Sequence, residues 1–326
     1  MTQKDQQWTV QKLLDWTRDY FTKSQVESPR LCAEILLSQS LKCKRMDLYL
    51  RYSYLPTEQE LAEFRGLVKR AVSGEPVAYL TGEKEFYSLN FKVSPAVLIP
   101  RPETEIIVEQ AVNHIRKITG DENLKIEIED NLDADENLDN KSQKNQSDNS
   151  ALTEKEIMLW DICTGSGCIP VAIAKNSRVT KILATDICPR ALSVAQENIS
   201  AHKLDEKISS MQADLTNISD SDFSKMKFDI ITSNPPYVRN DDPIGATVDK
   251  EPAKALFAGE DGLDLIRVLI PNAAERLKKS GVFIMEFGID QADEIRDIIL
   301  QTKKFAEPVF IKDHQNIERT VVATKL

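Results

Sequence analysis

The chain has 326 residues, 41% hydrophobic and 29% charged, which predicts two domains of an ordinary globular protein. No apolar run approaches the roughly 18 residues of a membrane helix, and the N-terminal Met-Thr-Gln-Lys-Asp-Gln-Gln has neither signal nor transit character, so a cytoplasmic location and no membrane partner are expected. The formal charge of −10 is uneven: residues 121–150 hold ten acidic and three basic residues, and the near-neutral remainder gives little support to a nucleic-acid substrate.

Residues 1–75 read as helical. Apolar side chains recur at helical spacing in Leu13, Leu14, Trp16 and Tyr20, in Leu31, Ile35 and Leu36, and in Leu61, Phe64, Leu67 and Val68. Ser28-Pro29 has the pattern of an N-cap followed by proline at the first helical position, and Gly74 with Pro76 that of a helix stop. We expect a small helical bundle over residues 1–83 that serves substrate recognition. Residues 84–100 change period, with partial alternation in Phe86-Tyr-Ser-Leu-Asn-Phe-Lys-Val93, and predict an extended connector or hairpin.

A third unit spans residues 101–326. It opens at Arg101-Pro102-Glu103-Thr104-Glu105, where proline and acids suit a first helical turn. Residues from about 119 to 155 are polar and acidic and contain no aromatic residue; they predict a disordered surface insertion, because such a stretch buries too little apolar surface to offset its ordering entropy. From residue 157 strands and helices alternate. Strands are expected at 157–163, 181–186, 208–214, 228–234 and 281–287, with helices from Ile169 and from Pro189. This pattern predicts a parallel α/β sheet covered on both faces. The last pair, 308–312 and 319–323, has no helix between its members and should form an antiparallel hairpin. The five cysteines (Cys32, Cys43, Cys163, Cys168, Cys188) include no Cys-x-x-Cys pair, and the three histidines are scattered, so neither a disulfide framework nor a metal site is expected.

Chemistry concentrates at the ends of these strands. In Asp161-Ile-Cys163-Thr164-Gly165-Ser166-Gly167 the glycines allow close backbone approach to a ligand, and the next helix start favours polar or anionic groups. Asp186 ends the second strand, where a carboxylate can accept ribose hydroxyls. Together they indicate an adenosine-containing cofactor. A dinucleotide fingerprint wants a third glycine where this chain has Pro170, which disfavours a nicotinamide oxidoreductase. Asp214 is placed to bind an adenine amino group. The strongest signal is Asn234-Pro235-Pro236-Tyr237, directly after a strand. Two prolines remove N–H donors and leave carbonyl acceptors, Asn234 adds a side-chain acceptor, and Tyr237 offers an aromatic face to a planar group.

Asn-Pro-Pro-Tyr at this place resembles the signature of methyltransferases acting on planar nitrogens. The wider chain is similar to the release-factor glutamine methyltransferase family (PrmC/HemK). The matching stretches are Gly74-Glu-Pro-Val-Ala-Tyr-Leu-Thr-Gly82, Leu98-Ile-Pro-Arg-Pro-Glu-Thr-Glu105, Thr164-Gly-Ser-Gly-Cys-Ile169, Asn234-Pro-Pro-Tyr-Val238, Glu251-Pro-Ala-Lys-Ala-Leu256, Gly259-Glu-Asp-Gly-Leu263, Glu286-Phe-Gly288, and Lys312-Asp313 with Arg319. The resemblance implies a Rossmann-like class I methyltransferase fold of seven mostly parallel strands. It implies S-adenosylmethionine as cofactor, held by Cys163, Thr164, Gly165, Ser166, Gly167, Asp186, Asp214, Leu215 and Asn234. Asn234, Pro235, Pro236 and Tyr237 would hold the substrate, the glutamine amide of the Gly-Gly-Gln motif in class-I peptide chain release factors, with Asn234, Pro235 and Tyr237 catalytic. A monomer is expected. The neighbouring readings are a glutamine methyltransferase for a ribosomal protein and an adenine-N6 methyltransferase on DNA or RNA. Cys163 stands where the family usually has glycine, and Ala253 where it usually has arginine.

Overall fold

The computed structural model describes residues 7–120, 156–218 and 223–326. The expected insertion, apart from its first two residues, lies outside the described residues.

The N-terminal part is helical: α1 (Val10–Lys23), α2 (Pro29–Ser40), the short α3 (Asp47–Leu50), α4 (Glu58–Val72) and α5 (Val77–Thr81). Its apolar stripes close on one another, burying Leu13, Leu14, Phe21, Leu36, Leu37 and Phe64 in one cluster. Pro29 does sit at the start of α2, but Ser28 adopts a left-handed conformation and makes no side-chain cap. The firm cap is elsewhere. At α4 the Thr57 hydroxyl accepts from the Glu60 backbone N–H and the Glu60 carboxylate accepts from that of Thr57, which satisfies two otherwise unpaired donors.

A two-stranded antiparallel hairpin follows, β1 (Glu83–Phe86) and β2 (Leu89–Lys92). Phe86 and Phe91 bury it in the main core, and the buried side chain of Asn198 ties it down further. Asn198 accepts from the Lys92 N–H at 2.7 Å, and its amide donates to the carbonyls of Lys92 and Ser166 at 3.0 and 2.8 Å.

Pro102–Thr104 form one 3-10 turn before α6 (Glu105–Thr119). The large unit then runs β3 (Met158–Ile162), α7 (Cys168–Asn176), β4 (Lys181–Asp186), α8 (Pro189–Ala201), β5 (Ile208–Gln212), β6 (Phe228–Ser233), α9 (Asp264–Arg276), β7 (Leu277–Glu286), α10 (Ala292–Gln301), β8 (Val309–Lys312) and β9 (Glu318–Thr324). The seven strands lie in the order β5-β4-β3-β6-β7-β9-β8. All pairs are parallel except those made by β9, which is antiparallel to both β7 and β8. The strands carry apolar residues on both faces because both faces are covered. Leu159, Ile230 and Ile284 pack with α6 and α7, while Trp160, Ile231 and Phe283 pack with α9 and α10. Full burial of one such side chain is worth roughly 1.5–3 kcal/mol. Among the described residues no helix is long and apolar enough to cross a membrane.

The chain steps outward from β3 to β5, then returns to place β6 on the other side of β3. Strand order therefore reverses between β3 and β6, the position where open α/β sheets leave a crevice at the carboxyl ends of their strands.

Candidate functional site

Strand register assembles the site. Ile162 on β3 pairs with Thr185 on β4 and with Ser233 on β6, and Ser233 pairs with Met285 on β7. One residue further along, Cys163, Asp186, Asn234 and Glu286 therefore stand side by side along the carboxyl edge. Four segments scattered through the sequence thus meet because their strands end in step.

A cavity of about 620 Å3 opens above this edge. Of the residues singled out from the sequence, Cys163, Thr164, Gly165, Ser166, Asp186, Asp214, Leu215, Asn234 and Pro236 line it. Gly167, Pro235 and Tyr237 do not appear in its wall. Gly167 instead caps the start of α7, where a Cβ would meet the Ala195 side chain at 3.2 Å. The segment 95–101 and the turn 252–255 complete the enclosure.

The turn after β3 is left-handed at three positions, with φ of 61° at Cys163, 54° at Gly165 and 76° at Gly167. Cys163 is the unusual one, since a side chain there works against backbone sterics. Burial raises its thiol well above the usual range, and the carboxylates of Asp186 and Asp161 raise it further. The turn is held by Asp186, whose Oδ2 accepts from the Gly165 N–H at 2.9 Å while Oδ1 accepts from the Cys188 N–H at 2.9 Å. Burial raises the Asp186 carboxyl above its ordinary value, and these amide bonds oppose the shift. Beneath the turn, Asp161 is fully buried and accepts from the Thr232 hydroxyl at 2.7 Å. Burial pushes its carboxyl up to about 7.

Asn234 is the end of a hydrogen-bond chain that local sequence patterns do not reveal. Its Nδ2 donates to Thr104 Oγ1 at 3.0 Å, Thr104 Oγ1 donates to Glu286 Oε2 at 2.6 Å, and the Tyr237 hydroxyl donates to Glu286 Oε1 at 2.9 Å. Thr104 and Glu286 are both 2% exposed. Burial raises the Glu286 carboxyl, and burial beside Glu286 pushes the Tyr237 hydroxyl well above the phenol range. The other amide atom, Asn234 Oδ1, is buried without a partner. A buried carbonyl of this kind costs roughly 1–3 kcal/mol when unpaired, and native proteins tolerate few of them.

The wall 95–101 is tied down from the far side. Glu251, 6% exposed, accepts from the Ile99 N–H at 2.9 Å with Oε2 and pairs with the Arg101 guanidinium through Oε1. The Tyr79 hydroxyl donates to the Val97 carbonyl at 2.5 Å, so the helical part also grips this wall. The Gly259–Leu263 stretch supports the Asn234–Tyr237 loop from below: Gln291 donates to the carbonyls of both Tyr237 and Asp261 at 3.1 Å.

Residues 12–82 match the PrmC N-terminal domain, and residues 147–257 match the methyltransferase small domain. The release factor glutamine methyltransferase of Rhodopirellula baltica is 36% identical, covering 99% of this chain and 99% of its own. That of Geobacter sulfurreducens is 33% identical, covering 98% of each. Among solved structures, the hMettl16 catalytic domain in complex with a 3'UTR hairpin shares the fold, with a TM-score of 0.52 at 13% identity over 77% of this chain and 82% of that one.

Proposed function

This chain belongs to the release factor glutamine methyltransferase family, and we propose that it transfers a methyl group from S-adenosylmethionine to the side-chain amide nitrogen of the Gly-Gly-Gln glutamine in class-I peptide chain release factors. The observation that carries this reading is Asn234 Oδ1, a buried acceptor without a partner on a residue that lines the cavity.

The residues present fit the methyl donor. A cavity of about 620 Å3 is ample for an adenosine-sized ligand. Asp186 would accept from the ribose hydroxyls, Asp214 with Leu215 would hold the adenine, and the turn from Cys163 to Gly167 with Asn234 would hold the amino-acid end. When bound, S-adenosylmethionine supplies an electrophilic methyl group, whose C–S electron pair stays on sulfur as the amide lone pair forms the N–C bond.

An amide nitrogen is a weak nucleophile because its lone pair is delocalised into the carbonyl. Asn234 Oδ1 would accept one of its N–H groups and hold the nitrogen facing the methyl group. Pro235, outside the cavity wall of this structure, would offer its carbonyl to the second N–H once the substrate is seated. Pro236 would wall the site, and Tyr237 would hold the loop through Glu286. Orientation of this kind contributes on the order of 7–11 kcal/mol at best. The methylated nitrogen then loses its extra proton to water, so no strong base is required. Residues 1–83 would recognise the release factor, and the enzyme would act as a cytoplasmic monomer.

The test is Asn234→Ala. Removing one preorganised polar group from such a site lowers turnover by roughly 100-fold or more, while S-adenosylhomocysteine, which keeps its other contacts, should still bind, though more weakly. Near-normal turnover by that variant would sink the assignment.

A further inference from the structure

We propose that Glu286, acting through Thr104, sets the polarity of the Asn234 amide, so that the site presents an acceptor to its substrate and selects a primary amide over a carboxylate. This rests on the reading of the site given above and goes beyond it by naming two positioning residues and a selectivity.

Both Glu286 oxygens already accept, one from Thr104 and one from Tyr237. An ionised carboxylate has no proton to return; burial raises the Glu286 carboxyl, and the hydrogen bonds from Thr104 and Tyr237, with Arg319, oppose that shift. Thr104 has a single hydroxyl proton, and the bond to Glu286 uses it. Only lone pairs remain on Thr104 Oγ1, so Asn234 can bond to it only through Nδ2. The amide is therefore fixed with Oδ1 on its free side, which is the atom found buried and unpaired. Turning the amide over would set two oxygens against each other in a buried place.

An amide-bearing side chain brings two N–H donors to this acceptor. A carboxylate brings only lone pairs, and a site built around a buried acceptor rejects such an analogue strongly. Glu286 is separated from Asn234 by Thr104 and has both oxygens occupied, so it acts as a positioning residue. Neither position is recognisable as such from local sequence, since Thr104 and Glu286 lie 182 residues apart.

Glu286→Gln tests this with almost no change of shape. A glutamine there can accept one hydroxyl and must donate with its other arm. With its NH2 toward Thr104, the threonine proton turns to Asn234 and the amide inverts. The expected result is a fall in kcat of roughly 10- to 100-fold, with S-adenosylhomocysteine affinity and melting temperature close to wild type. Thr104→Val should fall similarly, and Thr104→Ser, which keeps the hydroxyl, should restore most of the rate. Wild-type enzyme should bind a release factor carrying Gly-Gly-Gln roughly 10-fold or more tighter than one carrying Gly-Gly-Glu, and Glu286→Gln should narrow that difference.

Three results would overturn the proposal: wild-type kcat in Glu286→Gln, failure of Thr104→Ser to rescue, or loss of cofactor binding and folding in Glu286→Gln, which would mark a merely structural role. A substrate-free readout separates this from the substrate assignment. The Asn234 side-chain amide resonances, identified by their loss in Asn234→Ala, should shift in Glu286→Gln and Thr104→Val but not in Thr104→Ser. Should wild-type enzyme label no release factor, that resonance series still decides the network.

Discussion

Glu251 gives the sharpest link between a buried contact and the shape of the cavity. Replacing it with alanine leaves the Ile99 N–H without its acceptor, at a cost of roughly 1–3 kcal/mol. It also removes a charge-assisted bond to Arg101, worth about 1.5–3 kcal/mol in a dry setting. The Arg101 side chain is 33% exposed, so water recovers part of that second amount, and the net loss should be about 2–4 kcal/mol. Against a stability of roughly 5–15 kcal/mol the protein still folds, with a melting temperature lower by roughly 3–6 °C. Because 95–101 forms one wall of the cavity, the same variant should bind S-adenosylhomocysteine more weakly. Glu251→Gln keeps an acceptor for Ile99 and should lose about half as much. Thermal unfolding followed by circular dichroism, with calorimetric titration of the cofactor product, measures both effects. Unchanged melting and affinity in Glu251→Ala, or equal damage from glutamine and alanine, would refute the reasoning.

Three further outcomes follow from other positions. In Gly262→Ala the new Cβ would lie 2.2 Å from the Tyr237 carbonyl at a φ of 75°, so the Asn234–Tyr237 loop must move and turnover should collapse even where cofactor binding survives. At Cys163 the left-handed backbone should accept glycine within about 1 kcal/mol, whereas valine should cost about 2 kcal/mol or more; urea unfolding of both variants checks the order. Asp161 is raised by burial from 3.8 to about 7, so between those values the folded state holds a proton that the unfolded chain releases. Its contribution is therefore full below the lower value and is lost as pH rises through the upper one. Asp161→Asn should flatten that fall, seen as urea midpoints that differ less between about pH 5 and about pH 8.

The sequence exposes the features that depend on near neighbours. Apolar runs mark the seven strands because the inner ones are buried on both faces and the edge strand β8 is partly covered through Phe310. The missing helix between 308–312 and 319–323 marks the antiparallel pair at the sheet edge. Asn234, Asp186 and the turn from Cys163 to Gly167 stand out because each follows directly on a strand. The Asn234–Thr104–Glu286–Tyr237 chain has no such signature. Its members are single polar residues joined across 130 and 182 positions, and hydrophobic periodicity carries no information about which buried polar groups will meet. For the same reason Tyr237 reads from the sequence as an aromatic face for substrate, while in the structure its hydroxyl is tied back to Glu286. Cys163 is a milder instance, because only the backbone angle explains why a glycine suits that place.

The most direct test of the central claim is methyl transfer from labelled S-adenosylmethionine to a purified class-I release factor, beside a copy whose Gly-Gly-Gln glutamine is replaced. Label should enter the intact factor alone. Label in both copies, or in neither while the cofactor is bound, would contradict the assignment.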